Sequence, residues 1–413
     1  MAKNIKIKKP FKPELVAPAG NLEKLKTAFA FGADAAYLGG PSFSLRVHAD
    51  NFSFPEIKKA VLLAEKLDKK TYLAVNSYLF DHDLKQMKSY LKKIKATGMK
   101  TLIISDLGLL SFIRDHFPSF RIHISTQAST TNSEAVRMYS KLGASRIILA
   151  RELDLKKISA ITKACPEIEV ETFIHGAMCI AYSGRCLMSD YFTSRSANRG
   201  DCSHTCRWQY EVIEEKRPDE IIPIEQDKNG TYIMSSKDLN MANHIDDLYK
   251  AGISALKIEG RMKSLYYVAV TSAVYRQAID SHIAKKVLDK NLLEELEHVS
   301  HRPYHTGFFY GAPSQVAIKD KNYIREFVFL GTLGEKNRDG FIKINLKNPF
   351  SINHKVEVFE PGAGTFFLDH FELYRKIPVS NEYLRTDMVK IQEDCYLKSP
   401  LPLRPFSILR LRT

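Results

Sequence analysis

Long hydrophobic runs are missing from this 413-residue sequence. No run of about 18 apolar residues occurs, which leaves no candidate transmembrane helix. No apolar segment follows the basic opening MAKNIKIKKPFKP, so no signal peptide is expected and a cytoplasmic location is. Gly-x-Gly-x-x-Gly and P-loop patterns are absent, so neither a dinucleotide nor ATP is expected as cofactor. His-Glu-x-x-His and Gly-x-Ser-x-Gly are absent too, which removes two common hydrolase signatures. Internal repeats and low-complexity tracts are lacking. Cysteine is scarce, with six residues, and in a reducing compartment these point to a metal site or a reactive thiol rather than disulfides. Acidic residues are outnumbered, 47 against 61 Lys and Arg, for a net charge of +14. That surplus suits a polyanionic partner such as nucleic acid, although it is dispersed and also fits a Lys-rich chain with no such partner.

What is present is a regular alternation over the first 260 or so residues. Near-continuous apolar runs, the mark of parallel strands buried on both faces, separate stretches of helical periodicity. The runs are ELVAPAG from Glu14, AAYLGG from Ala35, TYLAVN from Thr71, TLIISD from Thr101, RIHIST from Arg121, RIILAR from Arg146, IEVETFIHG from Ile168 and ALKIEGR from Ala255. Eight βα units predict an α/β fold, a TIM-type (β/α)8 barrel over residues 12–320. A doubly wound open sheet is the alternative. Between the seventh and eighth runs, residues 177–235 form an insertion of about 60 residues, far longer than common βα loops. It holds a predicted hairpin, WQYEVIEE with GTYIMSS, and must emerge over the barrel mouth. After the eighth strand, Leu265, Val268, Ser272, Tyr275 and Ile279 carry helical spacing. SHRPYHTGFFYGAP, from Ser300, reads as a linker that packs back on the barrel. Residues 325–413 change to short strands with turns, which predicts a small C-terminal all-β domain, a β-barrel or alternatively a sandwich.

Four of the cysteines lie inside the insertion: Cys179, Cys186, Cys202 and Cys206, separated by six, fifteen and three residues. Zinc sites favour close Cys-x2–4-Cys pairs, and only the second pair qualifies. Four thiolates also suit a cubane iron–sulfur cluster, so both remain open at this point, with a catalytic thiol as a third possibility. Cys165 and Cys395 stand apart and read as ordinary buried thiols. Strand ends at a barrel mouth carry function, which singles out Asn76, Asp106, Gln127, Arg151, Glu152, His175, Glu259 and Arg261. Each has a structural alternative. Asp106 fits a helix cap, and Glu259 with Arg261 fits a simple ion pair. Glu171, within the seventh strand, fits a pairing with Lys257. Gly39 and Gly40 end the second strand, either to admit a ligand to the backbone or to make a tight turn. Arg195, Arg199, Arg207, Trp208 and Tyr210 form the richest basic and aromatic segment. They suit phosphates and an unpaired base; alternatively the arginines neutralise the cysteine thiolates and the aromatics pack under the insertion.

ETFIHGAMCIAYSGRCLMS, residues 171–189, resembles the signature of the U-32 peptidase family, also called collagenase-like proteases. The match falls on Glu171, Phe173, Gly176, Ala177, Met178, Cys179, Gly184, Cys186, Met188 and Ser189. The opening ELVAPAGNLEKLKTAFAFGADAAYLGG and the blocks SLRVHADNFS, SSKDLN and LKIEGRMKSLYYVAVTSAVYRQAID are similar to the family as well. The resemblance implies an oxygen-independent hydroxylase with a 4Fe-4S cluster on Cys179, Cys186, Cys202 and Cys206. One branch of the family hydroxylates the wobble uridine of tRNA to 5-hydroxyuridine and depends on prephenate. Others act on a 23S rRNA cytidine, in longer chains, or on the ubiquinone ring, in shorter chains without the β domain. Length and β domain match the tRNA branch, so the expected partners are tRNA and a small anionic cosubstrate, with no membrane. Within that frame His175, Glu171, Asp106 and Glu259 are the candidate catalytic residues. Arg46, Asn76, Gln127, Arg151 and Arg261 are the candidates to hold prephenate, whose carboxylates call for arginine forks. Peptidase activity is the alternative. It needs a thiol with a nearby imidazole, such as Cys179 with His175 or Cys202 with His204.

Overall fold

The computed structural model describes residues 12–45, 50–179, 181–208, 226–227, 230–231, 237–311, 326–377, 380 and 382–412. Six βα units and a seventh strand open the chain. Their strands are β1 (Glu14–Pro18), β2 (Ala35–Gly39), β3 (Lys70–Val75), β4 (Thr101–Ile104), β5 (Arg121–Ile124), β6 (Ala144–Ile148) and β7 (Glu169–Ala177). Helices α1 (Leu22–Ala30), α2 (Phe54–Lys66), α3 (Asp81–Ala96), α4 (Leu107–His116), α5 (Ser133–Lys141) and α6 (Leu155–Ala164) alternate with them. After β7 come the short helix α7 (Met188–Thr193), strand β8 (Asp238–Asn240), helix α8 (Ile245–Lys250), strand β9 (Ala255–Ile258) and the long helix α9 (Leu265–Ile283). Each of β1 to β6 pairs in parallel with the next, and β9 pairs in parallel with both β7 and β1, so eight strands close the predicted barrel. Side-chain caps set the helix starts: Asn21, Asp106, Asn132, Asp154 and Ser264 each accept from a backbone N–H in the first turn that follows. No described helix is long and apolar enough to cross a membrane.

Parallel partners in register share a face, so the pairing tells which side chains point into the barrel. Tyr72, His123, Arg146 and Glu171 lie inside, deep in the N-terminal half, and Glu14 sits at that rim. Charges inside a barrel must be paired. Arg146 bonds Glu14 at 2.7 Å, Glu169 at 2.7 Å and Glu171 at 3.0 Å, and Lys257 bonds Glu171 at 2.8 Å. Burial alone would raise the Glu14 carboxyl, yet the Arg146 guanidinium and bonds from Lys70 and Tyr72 bring it down to about 2.

Strand β8 is an addition to the barrel. It runs antiparallel to the end of β7, with Asn240 opposite His175, and pairs in parallel with Tyr304–His305. The expected linker from Ser300 therefore contributes a strand, locked by Arg302, which bonds Asp238 at 2.7 Å. Of the predicted hairpin strands only Trp208, Gly230 and Thr231 are described, and Gly230–Thr231 pairs with Gln226–Asp227, from the loop between the two predicted strands; the rest lies outside the described residues.

Eight antiparallel strands form the C-terminal sheet, in the order 364–367, 357–360, 408–412, 327–336, 342–346, 395–398, 372–376 and 383–386. It has its own core, including Leu330, Leu333, Ile342, Val358, Leu397 and Leu409. It also docks on the barrel. Phe359 stacks on Phe31 with ring centres 5.3 Å apart, and Phe329 stacks on Tyr266 of α9 at 5.9 Å. Arg410, fully buried at this junction, bonds Glu357 at 2.8 Å, the Tyr266 hydroxyl at 2.7 Å and Glu295 of the helix Lys290–His298 (α10) at 2.9 Å.

Candidate active site at the barrel mouth

The C-terminal strand ends enclose a cavity of about 60 Å³. Asn76, Gln127, Arg151, Glu259 and Arg261 line it, five of the residues singled out from strand ends, together with Tyr37, Ser125, Thr126, Phe173 and Lys257. Three cations against one carboxylate give the pocket a positive bias suited to a small anion. Arg151 is held by a bond to the Ala177 carbonyl at 2.8 Å, with its guanidinium 4.0 Å from the Phe173 ring centre. Asn76 donates to Ser125 Oγ at 3.2 Å. Arg261 is buried and donates to Ser44 Oγ at 3.4 Å. Gly39 explains how it gets there: a Cβ at that position would collide with the Arg261 guanidinium. Neither reading of Gly39 taken from sequence anticipated a neighbouring side chain as the reason. Arg46 lies outside the described residues.

Lys257 was singled out only as a partner for Glu171, and it is more than that. Its ammonium, buried by the barrel, faces the cavity, 4.4 Å from the Tyr37 ring centre. Desolvation pulls its pKa down, while Glu171 pushes it back up. The signal was in ALKIEGR, where Lys257 and Glu259 alternate with apolar neighbours and so share the inward face. Glu171 itself points into the barrel but sits below the cavity, bonded to Lys257 and Arg146.

Three candidates from strand ends lie elsewhere. Asp106 accepts from the Leu109 N–H at 2.7 Å and caps α4. His175 is turned away from the mouth. Lys257 pairs with Phe173, but the next residue, Ile258, pairs with His175, so Ile174 is an extra residue on β7. A bulge of one residue reverses the alternation of side chains beyond it. His175 consequently packs against Tyr267 and Tyr275 of α9 and against Tyr304, with its Nδ1 3.2 Å from the Tyr275 hydroxyl. Desolvation there brings its pKa down to about 3, which keeps it neutral. Glu152 does not line the cavity.

The cysteine-bearing segment covers the mouth, and its attachments come from loops far away in sequence. The Tyr78 hydroxyl donates to the Gly184 carbonyl, and Ser129 donates to the Ser183 carbonyl at 2.6 Å. The Tyr78 N–H donates to the Asn198 carbonyl at 3.0 Å. Gly184, at φ +76°, presses so closely on the Gln127 backbone that a side chain would not fit. Within the segment Ser189 Oγ donates to the Arg195 carbonyl at 2.6 Å, and the Asn198 amide donates to the Cys186 carbonyl at 2.9 Å. Arg199 bonds Asp83 at 2.8 Å and Arg195 bonds Asp201 at 2.7 Å, so both arginines are engaged in packing the segment. Tyr210 and the side chain of Arg207 lie outside the described residues.

None of the six cysteines, all of them described, is in a disulfide. Cys165 and Cys395 are buried, and desolvation raises both, Cys395 to about 11, as for inert core thiols. Cys179 is exposed, and Cys186, Cys202 and Cys206 are partly so. The His204 N–H donates to Cys202 Sγ at 3.4 Å. Among the described residues no three His, Cys, Asp or Glu converge as ligands of one metal ion. Four thiolates are a donor set that a cubane cluster and a zinc ion both accept.

Comparison with known proteins follows the same lines. Residues 20–319 match the model of Peptidase family U32. The chain is 37% identical to tRNA hydroxylation protein P of Escherichia coli, over 96% of this chain and 98% of that one. It is 37% identical to tRNA hydroxylation protein P1 of Bacillus subtilis, over 86% and 85%. It is also 31% identical to a collagenase of Porphyromonas gingivalis, over 72% and 73%.

Proposed function

The chain belongs to peptidase family U32, and from that premise we propose that it hydroxylates the wobble uridine of tRNA to 5-hydroxyuridine. The observation that carries this reading is similarity to a named tRNA hydroxylation protein along nearly all of both chains, C-terminal sheet included. Cys179, Cys186, Cys202 and Cys206 would hold a four-iron cluster, which when bound supplies an electron-transfer or Lewis-acid centre over the mouth. Arg151 and Arg261 take the carboxylates of a prephenate-like anion, and Lys257 adds a third positive charge at the cavity wall. Asn76, Gln127 and Ser125 offer hydrogen bonds, and the cover excludes water. A wobble base is already unpaired, which lowers the cost of bringing it out of the loop to the mouth.

The likeness to a collagenase favours peptidase activity as a second reading. It lacks support at His175, whose ring is bonded to Tyr275 behind the barrel wall rather than to a thiol.

The test is complementation. Bulk tRNA from cells lacking the gene is digested and its nucleosides weighed by mass spectrometry. Wild-type chain restores 5-hydroxyuridine, whereas Cys186→Ala and Arg261→Ala do not. An unchanged nucleoside profile on deletion rejects the hydroxylase. Casein or collagen cleavage that survives Cys186→Ala establishes the peptidase instead.

A further inference from the structure

The cover carries a concentration of exposed large apolar side chains that neither the cavity nor the thiols use. Tyr191 is 84% exposed, Leu187 73%, Tyr182 56% and Trp208 44%. The Tyr191 N–H donates to the Leu187 carbonyl at 2.8 Å, which sets both residues on one side of the α7 turn. The Tyr191 ring meets Phe192 edge to face at 5.2 Å. Helix α7 packs against the single turn Thr205–Arg207, which ends at Trp208. Leaving such side chains in water is unfavourable, and exposed apolar patches of this kind mark binding surfaces. Arg185 and Asp190 are both exposed on the same segment, so their charges offset. The patch offers ring faces rather than charge.

We propose that Tyr191, with Leu187 one turn before it and Trp208 at the end of the neighbouring turn, is a stacking platform for the unpaired bases that flank the target base at the barrel mouth. The proposal rests on the RNA reading above and names the surface that holds the substrate. The location supports this occupant: the platform is built on the segment that covers the cavity, where the neighbours of an extruded base must lie. The division of labour follows from the charges. The surplus of +14 spread over the chain attracts phosphates, while the platform grips base faces, which all four bases possess.

The experiment measures binding of a synthetic anticodon stem-loop, and of an RNA duplex of equal length, to the full chain by fluorescence anisotropy over a range of salt. Tyr191→Ala is expected to weaken stem-loop binding between about fivefold and about a hundredfold, the range for loss of one base–aromatic stack. Tyr191→Phe keeps the ring and stays near wild type. Duplex binding is unchanged in both variants. The salt dependence of stem-loop binding is also unchanged, since no phosphate contact is removed. Wild-type stem-loop affinity in both Tyr191→Ala and the Leu187→Ala/Tyr191→Ala double variant overturns the platform alone. Loss of self-association in those variants, with RNA binding intact, overturns it in favour of a contact between copies. Absence of RNA binding by the wild-type chain overturns the RNA reading itself.

Discussion

Replacing Glu171 by Gln isolates the electrostatics of the barrel interior. The substitution keeps shape and removes one negative charge from a fully buried site. Arg146 still bonds Glu14 and Glu169, each at 2.7 Å. Lys257 fares differently, since Glu171 is the carboxylate it bonds. Removing one partner of a buried pair typically costs about 3–5 kcal/mol. The lysine has an escape, which is to lose its proton. From an unfolded pKa of about 10.4, deprotonation at pH 7 costs about 4.6 kcal/mol, so this is the ceiling. The expected loss at pH 7 is therefore about 3–4.5 kcal/mol, a large share of a stability of roughly 5–15 kcal/mol. The sign with pH is fixed as well. In the variant the folded-state pKa of Lys257 lies further below the unfolded value than in the wild type. Between those two values the unfolded chain binds more protons, so stability rises with pH. The gap between variant and wild type should narrow between pH 7 and 9.5, by up to about 1.4 kcal/mol per unit. Urea denaturation followed by far-ultraviolet circular dichroism at several pH values measures this. Adding Lys257→Met should recover much of the loss. A Glu171→Gln chain within about 1 kcal/mol of wild type at pH 7, or a loss indifferent both to pH and to Lys257→Met, refutes the reasoning.

Further outcomes follow from single contacts. Gly39→Ala should push the Arg261 guanidinium out of position and lower kcat/KM for RNA hydroxylation by about a hundredfold, the scale of an ångström-sized misplacement; unchanged kinetics would remove Arg261 from the site. His175→Phe should flatten acid sensitivity. Its folded pKa of about 3 lies below the unfolded value near 6.5, so the wild type loses stability as pH falls from 6.5 towards 3 and the variant loses less, as acid titration of the dichroism signal reports. Asp106→Ala should cost about 1 kcal/mol in denaturation midpoint analysis, as loss of a cap, with hydroxylation retained. Chain purified without oxygen should lose its visible absorbance in Cys186→Ala and keep it in Cys165→Ser and Cys395→Ala.

The barrel was legible because its strands are buried on both faces, which writes each of them as an apolar run. The charges set within those runs, at Glu14, Arg146, Glu171 and Lys257, also mark the interior network. They are legible in retrospect, since a charge inside a buried strand must have a partner. Asn76, Gln127, Arg151, Glu259 and Arg261 follow from strand ends alone, because every parallel strand delivers its C-terminal end to the same rim. His175 was misleading. Alternation along β7 points it inward, and only pairing with β9, some 80 residues later, shows that Ile174 breaks the count. Arg199 could be read as a phosphate ligand or as a structural charge, and nothing local reveals Asp83, more than a hundred residues earlier, as its partner. The same distance hides the reason for Gly39, which is a side chain arriving from beyond β9.

The anchoring of the cysteine segment has a consequence for assembly order. Its stitches run from Tyr78 and Ser129, on loops after β3 and β5, to Gly184 and Ser183. Those loops stand in place only when the strands beneath them have joined neighbours, so the lid is cast on a finished mould. Any group the sulfurs hold would be fitted last, and stripping it with a chelator should leave the scaffold standing.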